Sequence, residues 1–237
     1  MIIAVIPARG GSKRIPRKNI KLFSGKPIIA WSIEAAKEAK IFDKIIVSTD
    51  DDEIANIAIK YGASVPFLRP EKLSDDFTGT NSVVKHAINF LNGNEKKVDY
   101  ACCIYATAPF LDSSYILQGY NAIIENKIKF AFSVTTFPFP VQRAIRINDE
   151  SKIEPIWPEF IQDRSQDLEE AFHDAGQFYW GTADAFLKEE NMYVNNSYPI
   201  KLPRFLTQDI DTYEDWLQAE LIFKALINNK ALRRSEC

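Results

Sequence analysis

The first stretch of the chain decides the fold, because a short apolar run there leads into a basic loop that contains glycine. The run is Ile2-Ile3-Ala4-Val5-Ile6, and the loop is Pro7-Ala8-Arg9-Gly10-Gly11-Ser12-Lys13-Arg14-Ile15-Pro16-Arg17-Lys18-Asn19. Five apolar residues that end at a proline predict a buried strand. The loop holds five basic residues, and the first acidic residue of the chain is Glu34. Glycines let backbone N–H groups approach an anion while Arg and Lys neutralise it, so the loop predicts a site for a multiply charged anion.

A solvated basic loop is the simplest alternative, and many charge runs are nothing more. An exposed loop, however, has no need of the Gly10-Gly11 pair or of two prolines. The loop also departs from the common nucleotide motifs, because Gly25-Lys26 is followed by Pro27 and the chain contains no G-x-G-x-x-G. The sequence therefore offers no support for a P-loop kinase or a dinucleotide-binding dehydrogenase.

The composition is that of a globular chain, with 237 residues, 46% hydrophobic and 26% charged residues, and a net charge of −3. We expect residues 1–237 to form one domain. Because the basic loop is a local feature of a slightly acidic chain, it predicts a small polyanionic ligand and no nucleic-acid partner. Cys102, Cys103 and Cys237 show neither disulfide nor metal spacing. With no leader-like or membrane-spanning apolar segment, a cytoplasmic protein without membrane contact is expected.

Apolar periodicity predicts alternating strands and helices. The predicted strands are 2–6, 44–48, 65–68, 100–105, 130–135, 177–180 and 198–202, and the predicted helices are 27–40, 52–61, 81–91, 112–126, 184–190 and 214–228. This alternation predicts an α/β fold with right-handed βαβ units and a mostly parallel central sheet that has helices on both faces. Ligands of such folds bind outside the carboxyl ends of the strands, so the basic loop, Thr49-Asp50 and the turn at 106–109 should converge on one crevice.

Residues 137–160 interrupt this alternation. Alternating isoleucines and Trp157 predict a small protruding hairpin with exposed apolar side chains. Exposed apolar surface of this kind is more often a subunit contact than decoration, so we predict that this insertion forms a subunit contact.

The second strong signal is Asp209-Ile210-Asp211. In an extended segment the side chains of residues i and i+2 point to the same side, and two carboxylates there suit Mg²⁺ that also binds phosphate oxygens. The alternative is that Asp211 caps the next helix, since Asp211-Thr212-Tyr213-Glu214 fits a capping box. The basic loop favours the metal interpretation. Asp50 and Asp76 are as consistent with helix caps as with ligands.

The segment from Asp163 to Trp180 is dense in polar and aromatic side chains. A lone His is usually structural, and the aromatic residues could belong to the core. The polar side chains nevertheless offer more hydrogen bonds than packing requires, which favours recognition of a polyhydroxylated ligand.

These motifs resemble those of the cytidylyltransferases that make CMP-activated nonulosonic acids, the relatives of sialic acid. The resemblance covers nearly the whole chain, and its most specific pieces are Pro7 to Asn19, Ser48-Thr49-Asp50, Leu68-Arg69-Pro70 and Asp209-Ile210-Asp211. It implies a Rossmann-like nucleotidyltransferase fold and a homodimer. It also implies transfer of CMP from CTP to the C2 hydroxyl of the sugar acid, release of pyrophosphate, and Mg²⁺ or Mn²⁺ as cofactor.

The resemblance also implies roles for individual residues. Arg9, Lys18, Asp209 and Asp211 would be catalytic, and the two acids would hold the metal. CTP would be bound by Arg9, Gly10, Gly11, Ser12, Arg14, Lys18, Asn19, Arg69, Thr78 and Thr80. The sugar acid would be bound by Tyr105, Thr107, Arg164, Gln166, Asp167, His173, Gln177 and Tyr179.

Two segments differ from the members that act on sialic acid. Tyr105-Ala106-Thr107-Ala108-Pro109 stands where those members usually have Gln-Pro-Thr-Ser-Pro, and His173-Asp174-Ala175-Gly176-Gln177-Phe178-Tyr179 replaces Arg-Pro-Asn-Gly-Ala-Ile-Tyr. Both segments look like those of the members that act on pseudaminic acid. The alternatives are another 2-keto sugar acid, such as sialic or legionaminic acid, and a nucleotide-binding protein without catalytic activity, which would not need both acids.

Overall fold

The structure is a computed structural model that describes residues 1–75 and 77–235, except for the side chains of 228–235. Asp76 and Cys237 therefore lie outside the described residues. The strands are β1 (Ile2–Pro7), β2 (Leu22–Phe23), β3 (Lys26–Pro27), β4 (Lys44–Ser48), β5 (Tyr100–Ile104), β6 (Phe130–Thr136), β7 (Ile145–Ile147), β8 (Ile153–Pro155), β9 (Phe172–Thr182) and β10 (Ser197–Lys201). The α-helices are α1 (Ile28–Ala39), α2 (Asp52–Lys60), α3 (Thr80–Asn94), α4 (Ser113–Asn126), α5 (Ala183–Leu187) and α6 (Tyr213–Ser235).

The central sheet has the strand order β10-β6-β9-β5-β1-β4 within the described residues. Strands β4, β1 and β5 pair in parallel, and so do β6 and β10. Between them β9 runs antiparallel to both β5 and β6. The predicted α/β fold with a mostly parallel sheet is therefore confirmed.

Both faces of the sheet are buried. Along β1, Ala4 and Ile6 belong to one hydrophobic core while Ile3 and Val5 belong to another, as the two-residue period of a strand requires. Side chains of α1 and α4 complete the first core, and side chains of α3 and α5 complete the second. Burial on both faces explains why these strands are continuous apolar runs in the sequence.

The predicted strand at 65–68 is wrong. Its region makes only two isolated parallel bridges, Ile46 with Ser64 and Thr49 with Leu68. Pro66 lies between them and has no backbone N–H to donate, so a continuous ladder cannot form. Strand β9, by contrast, is longer than the predicted 177–180. A β-bulge lets residues 172–174 pair with the end of β6.

The predicted hairpin in the 137–160 insertion is confirmed, since β7 and β8 form a separate antiparallel pair. Ile145, Ile147 and Ile153 are 54%, 74% and 70% exposed. The role of this surface in a dimer stays a prediction. Among the described helices, none combines the length and the apolar character that a membrane crossing needs.

Candidate active site

A cavity of about 380 Å³ lies at the carboxyl ends of β1 and β5. The expected convergence is seen for the basic loop and the turn after β5, which both line the cavity. Thr49 and Asp50 are not part of its lining, and Asp50 instead accepts a hydrogen bond from the backbone N–H of Gly10. The lining residues are Pro7, Arg9, Ser12, Lys13, Arg14, Ile15, Lys18, Asn19, Arg69, Asp75, Thr78, Thr80, Val83, Tyr105, Ala106 and Thr107. Most of the residues predicted to bind CTP are therefore brought together.

The basic loop is shaped by its own hydrogen bonds. Gly10 N–H donates to Asp50 Oδ1 at 2.9 Å, and the Asn19 side chain donates from Nδ2 to the carbonyl of Arg9 at 2.9 Å. Gly11 lies beside Gly10 in this loop. Asn19 is buried, so the residue predicted to meet the nucleotide lines the cavity and also holds the loop together.

Arg69 supplies a buried cation at the wall of the cavity. Its guanidinium donates from Nη2 to the carbonyl of Ser48 at 2.9 Å and from Nη1 to the carbonyl of Leu73 at 3.4 Å. Burial lowers the pKa of Arg69 from its usual value, although an arginine remains charged at neutral pH. Within the described residues its Nε–H has no hydrogen-bond partner. A buried donor in that state is suited to a polar ligand in the cavity.

Lys18 and Arg14 connect the basic loop to the acid pair near the other end of the chain. Lys18 Nζ donates to the carbonyl of Ile210 at 2.8 Å and to Asp211 Oδ1 at 3.3 Å. Arg14 Nη2 lies 2.8 Å from Asp211 Oδ2. Ile210 is buried in a third core with Ile15 of the loop, and this packing holds the two segments together. Three of the residues predicted to act on CTP, Arg14, Lys18 and Asp211, therefore meet at one place.

The alternative that Asp211 caps α6 is wrong. Thr212 precedes the first residue of the helix, and its Oγ1 accepts a hydrogen bond from the backbone N–H of Asp215 at 3.2 Å. Asp215 Oδ2 in return accepts from the backbone N–H of Thr212 at 2.7 Å. This reciprocal pair is a capping box shifted by one residue. Asp211 therefore does not cap the helix, and its carboxylate pairs with Lys18 and Arg14.

The acid pair fits a divalent cation. The pKa of Asp209 is raised, mainly because its carboxylate is partly buried and also because the negative charge of Asp211 is near. A cation bound between the two acids would stabilise the ionised form of Asp209. No group of three or more His, Cys, Asp or Glu is arranged to hold a metal in the described part of the chain. Two carboxylates that leave further positions to phosphate and water are the usual protein share of a Mg²⁺ site.

A second cavity, of about 320 Å³, shares Thr80 and Tyr105 with the first. Tyr179 lines it, and its ring packs against that of Tyr105 at 5.3 Å between centroids. Asp174 Oδ2 accepts hydrogen bonds from the hydroxyls of Tyr179 and Tyr193, both at 2.7 Å. Burial raises the pKa of Tyr105 and Tyr179, so these hydroxyls stay protonated.

Asp174 and Tyr193, whose side chains hydrogen-bond to each other in this second cavity, were not among the predicted site residues. Asp174 lies in the polar segment that the sequence singled out, and the polar character of that segment was its only signal. Tyr193 lies in the connection before β10, where no periodic pattern marks it. Only the fold brings it to Asp174.

Other predicted sugar-binding residues line neither of these two cavities. Gln177 is buried and donates from Nε2 to the carbonyl of Leu206. His173 is exposed, and its Nδ1 lies 2.8 Å from the carbonyl of Asp174. Arg164 pairs with Asp167 at 2.8 Å in an exposed turn that also contains Gln166. Their contact with a sugar stays a prediction.

Comparison with known proteins gives consistent results. The family model described as cytidylyltransferase matches residues 3–223. The pseudaminic acid cytidylyltransferase of Campylobacter jejuni subsp. jejuni serotype O:23/36 (strain 81-176) is 46% identical over 222 residues, which cover 94% of this chain and 96% of that protein. The CMP-N,N'-diacetyllegionaminic acid synthase of Legionella pneumophila subsp. pneumophila (strain Philadelphia 1) is 33% identical over 98% of this chain and 99% of that protein.

A solved structure of CMP:2-keto-3-deoxy-manno-octonic acid synthetase complexed with CTP has a TM-score of 0.69 to this chain, at 14% identity, over 94% of this chain and 98% of that one. At that identity the likeness shows a shared fold, and it confirms the Rossmann-like nucleotidyltransferase fold. The family model and the relatives extend over nearly the full chain. This protein belongs to the cytidylyltransferase family.

Proposed function

We propose that this protein transfers CMP from CTP to the C2 hydroxyl of pseudaminic acid and releases pyrophosphate. The observation that carries the proposal is the contact of Lys18 and Arg14 with Asp211, which unites the cationic loop and the acid pair beside one cavity. The 46% identity to a pseudaminic acid cytidylyltransferase over nearly all of both chains supports the choice of sugar.

In the proposed reaction the C2 oxygen attacks the α-phosphorus of CTP, the bond from that phosphorus to the pyrophosphate oxygen breaks, and the proton of the C2 hydroxyl is released to water. Arg9, Arg14 and Lys18 stabilise the negative charge that grows on the leaving pyrophosphate. Asp209 and Asp211 would hold Mg²⁺ or Mn²⁺, which supplies further charge neutralisation at the phosphates when it is bound. Binding in a formed cavity also orients the two substrates.

The two adjoining cavities suit the two substrates. The first has the basic loop on one side and Arg69, Thr78 and Thr80 on the other, as a triphosphate with a polar base requires. The second offers Asp174 and three tyrosine hydroxyls, which can exchange hydrogen bonds with hydroxyl and acylamino groups. Tyr105 borders both cavities and thus lies between the proposed reaction partners.

The choice of sugar is tested by steady-state kinetics of pyrophosphate release with CTP, Mg²⁺ and one of three sugars: pseudaminic, N-acetylneuraminic or N,N'-diacetyllegionaminic acid. We expect kcat/KM for pseudaminic acid to exceed the others by about 10²-fold, because a site built for one set of polar groups leaves them unpaired with another. The third sugar is included because of the relative from Legionella pneumophila. Turnover with N-acetylneuraminic acid alone would refute the choice of pseudaminic acid.

Replacing Arg69 with methionine is expected to raise KM for CTP by about tenfold with little change in kcat. Methionine keeps most of the side-chain volume but loses the hydrogen bonds to the carbonyls of Ser48 and Leu73, and the loss of buried hydrogen bonds destabilises a fold. The melting temperature should therefore fall. Arg204→Met, at an exposed arginine, is the matched control. An unchanged KM for Arg69→Met would exclude Arg69 from nucleotide binding.

We also propose that the protein is a homodimer joined through the 137–160 insertion, because Ile147 and Ile153 expose apolar surface there. The double variant Ile147→Lys/Ile153→Lys is expected to be a monomer by light scattering coupled to size exclusion. Lys188→Ala, at an exposed residue after α5, should leave the dimer intact. A dimer that survives the double variant would place the contact elsewhere.

The proposed reaction takes place in the cytoplasm. Cys102 and Cys103 are buried unpaired thiols, as is usual in a reducing compartment.

A further inference from the structure

The basic loop is tied at both ends to the two acids that follow β4. Near its start, Gly10 N–H donates to Asp50 Oδ1 at 2.9 Å. Near its end, the Arg17 guanidinium binds the Asp51 carboxylate through both terminal nitrogens, with 3.0 Å from Nη2 to Oδ1. Arg17 Nη2 also donates to Glu53. The neighbouring acids Asp50 and Asp51 thus hold the two ends of one loop.

Arg17 differs from the other basic residues of the loop. Arg9, Lys13, Arg14 and Lys18 line the nucleotide cavity, and Arg17 is absent from its lining. Its backbone is in the left-handed region, with φ of 56° and ψ of 30°, which is uncommon for a residue other than glycine. In this conformation the Arg17 side chain points away from the cavity and contacts Asp51 and Glu53 at the start of α2.

Asp51 combines three contacts in one partly buried carboxylate. Its Oδ1 accepts from the backbone N–H of Ile54 at 2.9 Å and so caps α2. The same carboxylate pairs with Arg17. It also packs against the start of the loop, because a Cβ atom at Gly10 would lie only 2.8 Å from Asp51 Oδ2. The positions of α2, Gly10 and Arg17 therefore depend on one another.

We propose that Arg17 is a positioning residue, whose pair with Asp51 sets the loop conformation in which the other basic residues meet the triphosphate, and that Arg17 itself does not contact phosphate. This inference rests on the proposed function, since CTP is the ligand concerned. Of the five basic residues of the loop, four would then contact the triphosphate, and the fifth, Arg17, would hold the loop in position.

The test is a double-mutant cycle of Arg17→Met and Asp51→Ser, in which serine keeps a helix-capping oxygen. KM for CTP, kcat and the calorimetric Kd for CTP are measured for each protein. We expect each single variant to raise KM and Kd for CTP about fivefold with kcat within about twofold, and the double variant to be no worse than either. Arg17→Lys should recover part of the affinity, because it restores one charged hydrogen bond.

Arg14→Met, at a residue that lines the cavity, is the reference. Arg14→Met should still lower CTP affinity in the Asp51→Ser background, where Arg17→Met should have no further effect, because Arg14 itself is proposed to contact the triphosphate. If Asp51→Ser does not fold, Asp51→Asn replaces it, since asparagine also caps helices. Effects of Arg17→Met and Asp51→Ser that add would mean that Arg17 contacts the triphosphate, and unchanged CTP affinity in both would mean that the pair is only structural. Either result overturns the proposal.

An error in the proposed function and an error in the role of Arg17 would give different results. If the unmodified protein binds no CTP by calorimetry, the proposed function is wrong whatever the variants do. If it binds CTP and the Arg17 variants bind it equally well, only the role of Arg17 is wrong. A lowered melting temperature with unchanged KM and Kd would likewise count against the positioning role.

Discussion

Replacing Asp209 or Asp211 with asparagine is expected to lower kcat for pyrophosphate release by about 10²–10⁴-fold while the protein stays folded. Asparagine keeps the size of each side chain and removes the charge that would hold the divalent ion. The Asp209 and Asp211 variants should differ in melting temperature. The Asp211 variant loses its pairs with Arg14 and Lys18, so we expect it to be less stable than the unmodified protein.

At Asp209 the opposite change in stability is expected. Its pKa is raised in the folded state, so at neutral pH the ionised carboxylate is less favourable in the fold than in the unfolded chain. This unfavourable contribution grows as pH rises through the raised pKa and is absent at low pH. Asparagine removes it, and the Asp209 variant should melt at the same or a higher temperature.

The control for both variants is Glu214→Gln, which removes an exposed acid in the first turn of α6. We expect that control to keep the unmodified rate. Near-normal kcat in both the Asp209 and Asp211 variants would show that the metal assignment is wrong, while a reduced rate in the control would show that net charge alone matters.

Replacing Lys18 with methionine is expected to lower kcat/KM for CTP by about 10²–10³-fold. Lys18, like Arg14, lines the cavity and contacts the acid segment, where it donates to the carbonyl of Ile210. Its loss removes a cation from the place where negative charge develops on the leaving pyrophosphate, and it removes one of the two cations that pair with Asp211. We expect both a higher KM and a lower kcat.

Lys21→Met is the matched control for Lys18. Lys21 follows in the same segment, and its ammonium lies over the rings of Tyr213 and Trp216 at 5.5 and 5.4 Å, so it should affect stability more than rate. Lys18→Arg keeps the charge in a different geometry and should retain part of the activity. If Lys18→Met keeps kcat/KM within about twofold, Lys18 does not take part in the reaction.

Several features of the fold and site could be predicted from the sequence because local patterns determine them. The run Ile2 to Ile6 is buried on both faces, and such strands are apolar at every position. The composition of the loop from Arg9 to Asn19 indicated an anion site, and most of these residues do line one cavity. The position of a crevice outside the carboxyl ends of the strands follows from a general rule of α/β folds.

Other features depend on contacts between distant segments, which no local pattern shows. The position of Asp211 is set by Lys18, some 190 residues away along the chain. Arg17 has the same charge as its neighbours, and only the position of Asp51 shows that it faces away from the cavity. Tyr193 reaches the second cavity through its bond to Asp174.

The central claim is that CTP and pseudaminic acid react at the α-phosphorus. The most direct measurement is phosphorus-31 NMR of the unmodified protein with CTP, pseudaminic acid and Mg²⁺. We expect loss of the three CTP signals and equal growth of the pyrophosphate signal and of one phosphodiester signal from the CMP-sugar. CTP signals that stay unchanged, or release of inorganic phosphate in place of pyrophosphate, would contradict it.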